Sequence, residues 1–417
     1  MLWTRNFSYY LVARAVSLFG DAMLVVGAGL AIGGIYGASG VGFVLAAWMI
    51  PFLGCILFGG VLADRFSARP LMVGADLTRM LAQAVVAAAF FLGTPPLWLL
   101  LLCWAVSGAA AAMFQPGVNS MVPIVATDLQ RANSTIKVAN SLAEMLGPAT
   151  AGLLFGFLGA GPVFTVAVGA FAVSAACLAG LRLGRLPVAG TGGSMLRDLA
   201  DGWREFRSRT WMWNVILIWA VYGIVLFGPL IPLGAVLISQ RLGAPAYGWV
   251  QSAVAVGTIL GGLGALRVKP HRPLAAGAVM MFGYGLLPLA IALHAPLTVL
   301  MAAATVNGLA WAFWSIMWQT SVQTHIPPQL LNRVTSYEVL GSNGSLPIGQ
   351  ALSGPAAGLV GAERVLATSV AVGVLGCVAL LLAPAVRGLR RVSGPSPSAE
   401  APLAAARATP RAGVESG

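Results

Sequence analysis

Residues 59–69 read Gly59-Gly-Val-Leu-Ala-Asp-Arg-Phe-Ser-Ala-Arg69, a short charged stretch between two long apolar segments. An apolar stretch of about 20 residues is long enough to cross a membrane as a helix. Twelve such segments can be marked in the 417 residues, at 8–35, 40–63, 71–93, 97–122, 133–158, 162–183, 211–238, 245–266, 273–293, 296–324, 334–359 and 363–386. Only 9% of the residues are charged and 58% are apolar, whereas soluble domains carry about 25% charged residues. The sequence predicts an all-α polytopic membrane protein.

The basic residues indicate how the chain crosses the bilayer. The net charge is +12, which in a soluble protein would suggest nucleic acid as a partner. If the N-terminus is inside, only Arg241 and Arg364 of the 24 basic residues lie in outer connections. Cytoplasmic loops carry an excess of Lys and Arg. We therefore expect both termini in the cytoplasm, the lipid bilayer as partner and no nucleic acid. We also expect no cleavable signal peptide, because the first apolar stretch is too long.

A polar stretch at 184–210 divides the segments six and six. It predicts a first six-helix bundle at 1–185, a cytoplasmic linker at 186–210 and a second bundle at 211–390. Within the linker, apolar residues at 3–4 spacing predict a short amphipathic helix over 194–207. It is either a regulatory element or a plain linker. Residues 391–417 are rich in Ser, Pro, Ala and Gly, which predicts a disordered cytoplasmic tail.

The two halves match each other at one offset. Gly60 aligns with Gly262 and Gly147 with Gly349, and both pairs are 202 residues apart (262 − 60 and 349 − 147). The offset also brings Arg131 onto Arg333. Two pseudo-repeated halves with substrate held between them are the architecture of many secondary transporters.

The loop at 59–69 resembles the signature loop of the major facilitator superfamily, Gly-x-x-x-Asp-Arg-x-Gly-Arg-Arg/Lys. Gly60, Asp64, Arg65 and Arg69 match this signature, whereas Ser67 and the alanine after it depart from it. The resemblance implies the major facilitator fold and a gating role for Asp64, pairing across the two halves in one state of the transporter. The alternative is that Asp64 caps the next helix.

The fifth segment carries a second resemblance. Gly147-Pro-Ala-Thr-Ala-Gly152 is similar to the Gly-Pro-x-x-Gly-Gly signature of exporters in that superfamily, with Ala151 as the departure. Pro148 would kink a helix by removing a backbone donor, and in those exporters the kink is thought to seal one face against ion leak. Three further stretches resemble the bacterial siderophore, macrolide and drug exporters: Arg14-Ala-Val-Ser-Leu-Phe-Gly-Asp21, Asp76-Leu-Thr-Arg79, and Phe114-Gln-Pro ahead of Leu129-Gln-Arg-Ala-Asn133.

Ionisable groups within a membrane are functional candidates by default. Asp21 and Glu144 lie roughly 17–20 Å from the predicted inner surface, at 1.5 Å per residue. Desolvation disfavours the charged carboxylate at that depth, so both could bind and release protons during antiport; the alternative is a protonated, hydrogen-bonded packing role. Asp76 and Arg79 lie nearer the cytoplasmic end, can pair at i and i+3, and are interpreted as structural or gating. Many drug–proton antiporters carry an arginine in the fourth helix, and this chain has none there.

By the resemblance, the first, fourth, seventh and tenth helices line the central cavity. The candidate substrate contacts on these helices are Trp104, Gln115, Asn119, Trp219, Tyr222, Asn307, Trp311 and Trp314. Aromatic rings and amides there would stack on a planar or greasy substrate and hydrogen-bond to it. The alternative is an aromatic belt at the membrane interface.

The sequence also argues against other functions. The three histidines fall in loops or at helix ends, so we expect no metal site, and no Gly-x-x-x-x-Gly-Lys loop indicates ATP hydrolysis. We expect no cofactor and no enzyme activity, with an intramembrane transferase as the alternative from the enzyme class.

Taken together, the sequence predicts a proton-driven, monomeric exporter in a bacterial inner membrane. We expect its substrate to be a drug, macrolide, siderophore or secondary metabolite. An importer or a lipid or lysolipid flippase of the same fold is the competing interpretation.

Overall fold

The computed structural model of the protein describes residues 4–66, 68–126, 129–182, 204, 207–268, 270–326 and 328–390. The predicted linker helix at 194–207 falls outside these residues except for Arg204 and Arg207, and the predicted tail at 391–417 falls outside them entirely. Within the described residues the chain is helical and has no strand.

The described residues of the first half form six long helices. Their bounds are α1 Arg5–Gly27, α2 Gly33–Phe66, α3 Ala68–Leu92, α4 Leu97–Val125, α5 Leu129–Leu158 and α6 Ala160–Ala179. A π-helical turn at Ala28–Ile32 joins α1 to α2. The π-helical turn is a rare conformation that is frequent at functional sites.

The second half is more interrupted. Its helices are α7 Thr210–Tyr222, α8 Gly228–Leu242, α9 Ala244–Arg267, α10 Pro273–Met281, α11 Leu286–Ala292, α12 Leu297–His325, α13 Pro328–Asn343, α14 Leu346–Val360, α15 Ala362–Leu382 and α16 Pro384–Arg387. A π-helical turn at Gly223–Phe227 joins α7 to α8, and a 3₁₀ turn at Phe282–Gly285 joins α10 to α11.

Within the part of the chain that the structure describes, ten helical stretches are long and apolar enough to cross a membrane. The first of them, Arg5–Cys55, has 51 residues, which at 1.5 Å per residue is about 75 Å and over twice the hydrocarbon thickness. Inside it Gly37 has φ 63°, a left-handed conformation that glycine adopts without steric cost. The protein is therefore a multi-pass membrane protein, and the count of twelve crossings stays a prediction.

The backbone repeats the offset that the sequence indicates. Gly159 has φ 80° and precedes α6, and Gly361 has φ 92° and precedes α15. The two positions are 202 residues apart (361 − 159). The same reversal between consecutive helices therefore occurs at the same place in each half.

Glycines bring the two halves together along α2 and α14. A methyl group added at Gly42 would overlap the backbone carbonyl of Gln350, and one added at Gly354 would overlap the backbone of Ser39. Only a residue without a side chain permits such close helix packing.

A second close approach joins α5 and α9. A methyl group at Gly152 would lie 2.9 Å from the Cα of Gly248, and one at Gly156 would lie 2.8 Å from the Cγ of Pro245. The contact between α5 and α9 lies next to the reversal at Gly159 and the start of α9. The contact between α2 and α14 lies near the end of α14. The two halves thus close on each other at the end of the bundle opposite the start of α1 and the end of α15, which is the sealed end.

We expect Gly42→Ala to lower the thermal unfolding temperature of the purified protein by several degrees, because the new methyl group overlaps the Gln350 carbonyl. Gly169→Ala on α6 is the matched control, since nothing lies within 4 Å of its added methyl group. Alanine favours a helix over glycine by about 1 kcal/mol, so this control should unfold at the same temperature or higher. Equal unfolding temperatures for the two variants would contradict the close packing at Gly42.

Candidate functional site

A buried arginine on α3 organises the charged groups of the first half. The side chain of Arg79 is 2% exposed. Asp76, which lies three residues before it on the same helix, is fully buried. The Nη2 of Arg79 donates to the Oδ1 of Asp76 and to the Oγ of Ser17, the latter at 3.0 Å. Ser174 on α6 donates to the Oδ2 of Asp76. Helices α1, α3 and α6 are therefore tied together by one hydrogen-bonded network.

Asp21 on α1 completes the ion pair. The Nη1 of Arg79 lies 3.0 and 2.8 Å from the two carboxylate oxygens of Asp21. Asp21 is 32% exposed, in contrast to Asp76 and Arg79. The most accessible carboxylate of the cluster is thus held by a guanidinium that is itself buried.

Two aromatic rings enclose the guanidinium. Its Cζ lies 4.9 Å from the centroid of Phe114 and 4.6 Å from the centroid of Phe171. A cation over a ring face is attracted by the ring quadrupole, and more strongly where water is excluded. The rings therefore compensate part of the cost of keeping Arg79 inside the protein.

A cavity of about 350 Å³ adjoins this ion pair. Its walls come mostly from α1 to α4, with three residues of the second half, Ile231, Leu346 and Gln350. The residues from the first half are Arg14, Leu18, Asp21, Leu24, Val25, Leu45, Trp48, Met49, Phe52, Arg79, Gln83, Trp104, Ala111, Phe114 and Gln115. An apolar pocket of this size with a few polar groups is typical of small-molecule sites.

Three comparisons place the chain among known proteins. A family model described as the Major Facilitator Superfamily matches residues 10–346. The chain belongs to the Major Facilitator Superfamily. This assignment makes it a member of a transporter family and confirms the resemblance carried by the loop at 59–69.

The superfamily relatives include named efflux proteins. The chain is 28% identical over 367 residues to the multidrug efflux pump Tap of Mycobacterium tuberculosis (strain ATCC 25618 / H37Rv), covering 83% of this chain and 85% of that protein. It is 24% identical over 378 residues to macrolide efflux protein A of Streptococcus pyogenes, covering 87% and 92%. The crystal structure of the nucleoside transporter NupG superposes with a TM-score of 0.76 at 13% identity, over 90% of this chain and 98% of that one.

The predicted pairing of Asp76 with Arg79 is confirmed. The structure also joins Asp21 to that pair, whereas the sequence predicts Asp21 as a separate site at greater depth. Ser17 lies four residues before Asp21 and thus on the same helix face, a spacing that could have indicated a polar network. Glu144 lies half-buried on α5 and is not among the described residues that line the cavity.

Of the predicted substrate contacts, Trp104 and Gln115 line the cavity. The side chain of Asn119 lies outside the described residues. Sequence reasoning missed several other lining residues, among them Trp48, Gln83 and Gln350.

The predicted contacts of the second half lie elsewhere, in an aromatic cluster. The rings of Trp219 and Trp314 stack at 4.5 Å and are 6% and 2% exposed. Tyr222 is fully buried and its hydroxyl donates to the backbone carbonyl of Gly373 at 2.6 Å. Because these side chains pack on one another, little of their surface faces a ligand in this conformation.

Two further predicted contacts lie beside that cluster. The ring of Trp311 lies 5.5 Å from that of Phe227 and is 39% exposed. Asn307 is buried, donates to the carbonyl of Tyr284 at 2.8 Å, and lines a separate cavity of about 140 Å³. A substrate role for the residues of the second half stays a prediction.

The residues of the superfamily's signature loop are described in part. The backbones of Gly60, Asp64 and Arg65 belong to α2, and their side chains lie outside the described residues. The Nε of Arg69 donates to the carbonyl of Leu178 at 3.1 Å. A basic group at the C-terminal end of α6 is stabilised by the helix dipole, so Arg69 holds the start of α3 against the end of α6.

The exporter signature lies at two helix contacts. A methyl group at Gly147 would lie 2.8 Å from the Cβ of Ala22 on α1. Pro148 and Gly152 contact α9, since a methyl group at Gly248 would lie 2.7 Å from the carbonyl oxygen of Pro148. Helix α5 remains helical through Pro148. Pro148 and Gly152 of the signature thus serve the contact between the two halves, whereas Gly147 packs α5 against α1.

We expect Arg79→Met to destabilise the protein severely, because it leaves Asp21 and Asp76 without their cation. Removing one partner of a buried ion pair costs about 3–5 kcal/mol. The exposed Arg364→Met is the matched control and should unfold like the wild type. Thermal unfolding in detergent measures both.

Adding Asp21→Asn to Arg79→Met should restore part of the lost stability, because one uncompensated charge is removed. A double variant no more stable than Arg79→Met would show that the Asp21 pair contributes little.

Proposed function

We propose that this chain is a proton-driven exporter of bulky amphipathic small molecules that works by alternating access. The proposal is supported by the superfamily assignment and by the names of the relatives, which are efflux proteins for several drugs and for macrolides. The observation that carries it is the position of Asp21, a half-accessible carboxylate in the wall of an apolar cavity that is bound to a buried arginine.

The charge at Asp21 provides a physical basis for coupling. Protonation of Asp21 makes the cavity wall one charge more positive and removes one of the two carboxylate partners of Arg79. A positively charged substrate then binds less tightly, and by reciprocity a bound cation disfavours the proton. Proton entry and substrate binding at one site would exclude each other, as antiport requires.

The rest of the transport cycle follows from the contacts between the halves. The bundles at 1–185 and 211–390 are the two moving bodies, connected by the linker at 186–210. The basic residues favour cytoplasmic termini, which would make the sealed end the outer one and allow substrate to enter the cavity from the cytoplasm. The glycine contacts at Gly42 and Gly152 would separate when the protein opens outward.

Each chain holds a complete cavity, so we propose a monomer in a bacterial inner membrane.

Efflux of ethidium from a pump-deficient bacterial host tests the proposal. Cells expressing the wild-type chain should retain several-fold less dye than cells with an empty vector, and a protonophore should abolish the difference. Asp21→Asn should abolish it as well, since an amide cannot exchange a proton with the gradient. Glu363→Gln is the matched carboxylate control, because Glu363 is exposed at the start of α15, lies outside the cavity lining and has its Oε1 3.6 Å from the Nε2 of His294.

The same assay separates the alternatives. Export by Asp21→Asn at the wild-type rate would make Asp21 structural, and Glu144→Gln would then test the other predicted coupling group. Export that resists the protonophore would contradict proton coupling. Higher dye retention than in the vector control would indicate import.

A further inference from the structure

Two glutamines of the cavity wall have a buried amide oxygen without a partner. Gln83 on α3 is fully buried and Gln350 on α14 is 6% exposed. Both line the 350 Å³ cavity beside the ion pair. Among the described residues, neither Oε1 has a hydrogen-bond partner.

Such atoms are unusual because a buried polar group without a hydrogen bond is destabilising. Roughly nine in ten buried polar groups in proteins are paired. Here the unpaired acceptors belong to two residues on different helices that line one cavity. A ligand in that cavity whose N–H or O–H donors reached both oxygens would satisfy them.

The surroundings of each glutamine hold it in place. The Nε2 of Gln83 donates to the Oγ of Ser107 at 3.2 Å, which leaves the Oε1 as its unpaired atom. The backbone carbonyl of Gln350 lies against Gly42 where the two halves meet. A ligand bound to both amides would therefore contact both halves of the protein.

The apolar part of the wall indicates the shape of that ligand. The rings of Trp48 and Phe52 are stacked, with centroids 4.9 Å apart and planes inclined by 12°. Trp104 lines the same cavity. Flat rings of this kind pack well on a planar aromatic body.

We propose that Gln83 and Gln350 are the specificity contacts of the cavity and select planar amphipathic substrates that carry N–H or O–H donors. This proposal rests on the proposed export function and names its substrate class. The amide oxygens accept hydrogen bonds from the donors while the aromatic rings cover the apolar body. An analogue of the same shape without donors leaves both oxygens unpaired and binds less tightly.

Two dyes that differ only in their donors test this inference. Ethidium has two primary amines on a planar cation, and 5-ethyl-6-phenylphenanthridinium is the same cation without the amines. The full chain in lipid nanodiscs is titrated with each dye and the dissociation constants are measured by fluorescence anisotropy. Ethidium efflux from cells expressing the same variants is measured in parallel.

The wild type should bind ethidium more tightly than the amine-free dye. Gln83→Leu and Gln350→Leu should each weaken ethidium binding by about fivefold, the effect of losing one hydrogen bond. Their affinity for the amine-free dye should be unchanged, which also shows that the variants are folded. Gln319→Leu is the matched control, because Gln319 is exposed on α12 and outside the cavity lining.

Three results would overturn the inference. Ethidium affinity unchanged in both variants would remove the specificity role, while continued ethidium efflux would leave the export function standing. Equal loss of both dyes would mean that the glutamines act on packing rather than on selection. A wild type that neither binds nor exports ethidium would contradict the inference and the proposed function together.

Discussion

A guanidinium buried in the first helical bundle is the constraint on which much of the structure depends. Arg79 is almost inaccessible, and an unpaired charge in a membrane interior is costly. It must therefore keep Asp21, Asp76 and Ser17 within hydrogen-bond distance. Because these partners lie on α1 and α3, and Ser174 on α6 joins them, the relative positions of three helices follow from one charge.

The second bundle has no ionisable residue at the positions equivalent to the ion-pair cluster. At the offset of 202 residues, the positions equivalent to Asp21, Asp76 and Arg79 are Gly223, Ala278 and Met281. Stacked rings, including Trp219 on Trp314, occupy the core there. The two halves thus share a backbone plan but differ in side-chain chemistry. Among the residues described as lining the cavity, all the ionisable ones belong to the first half.

The contact between the halves depends on backbone proximity rather than on strong side-chain pairs. Gly42, Gly152 and Gly354 let helices approach so closely that a methyl group would not fit. Such contacts are made of many weak interactions, which suits a surface that has to open and close. The exporter signature in α5 is part of this contact, and its glycines and proline have a packing role that is independent of the resemblance.

The sequence by itself determined the class of fold, the family and the polar residues to consider. Long apolar segments, scarce charges and the loop at 59–69 sufficed, because a bilayer constrains length and composition strongly. Only the tertiary structure decided which of those residues meet. Periodicity places Asp76 and Arg79 on one helix face, but it does not report the rotation of α1 against α3. The sequence therefore does not predict that Asp21 pairs with Arg79. The aromatic residues of the second half were equally ambiguous in sequence, since a Trp at helical spacing suits a cavity wall and a packed core alike. Which neighbours a ring meets depends on the rotation of each helix, so only the tertiary structure shows that Trp219 and Trp314 are buried against each other while Trp311 is 39% exposed.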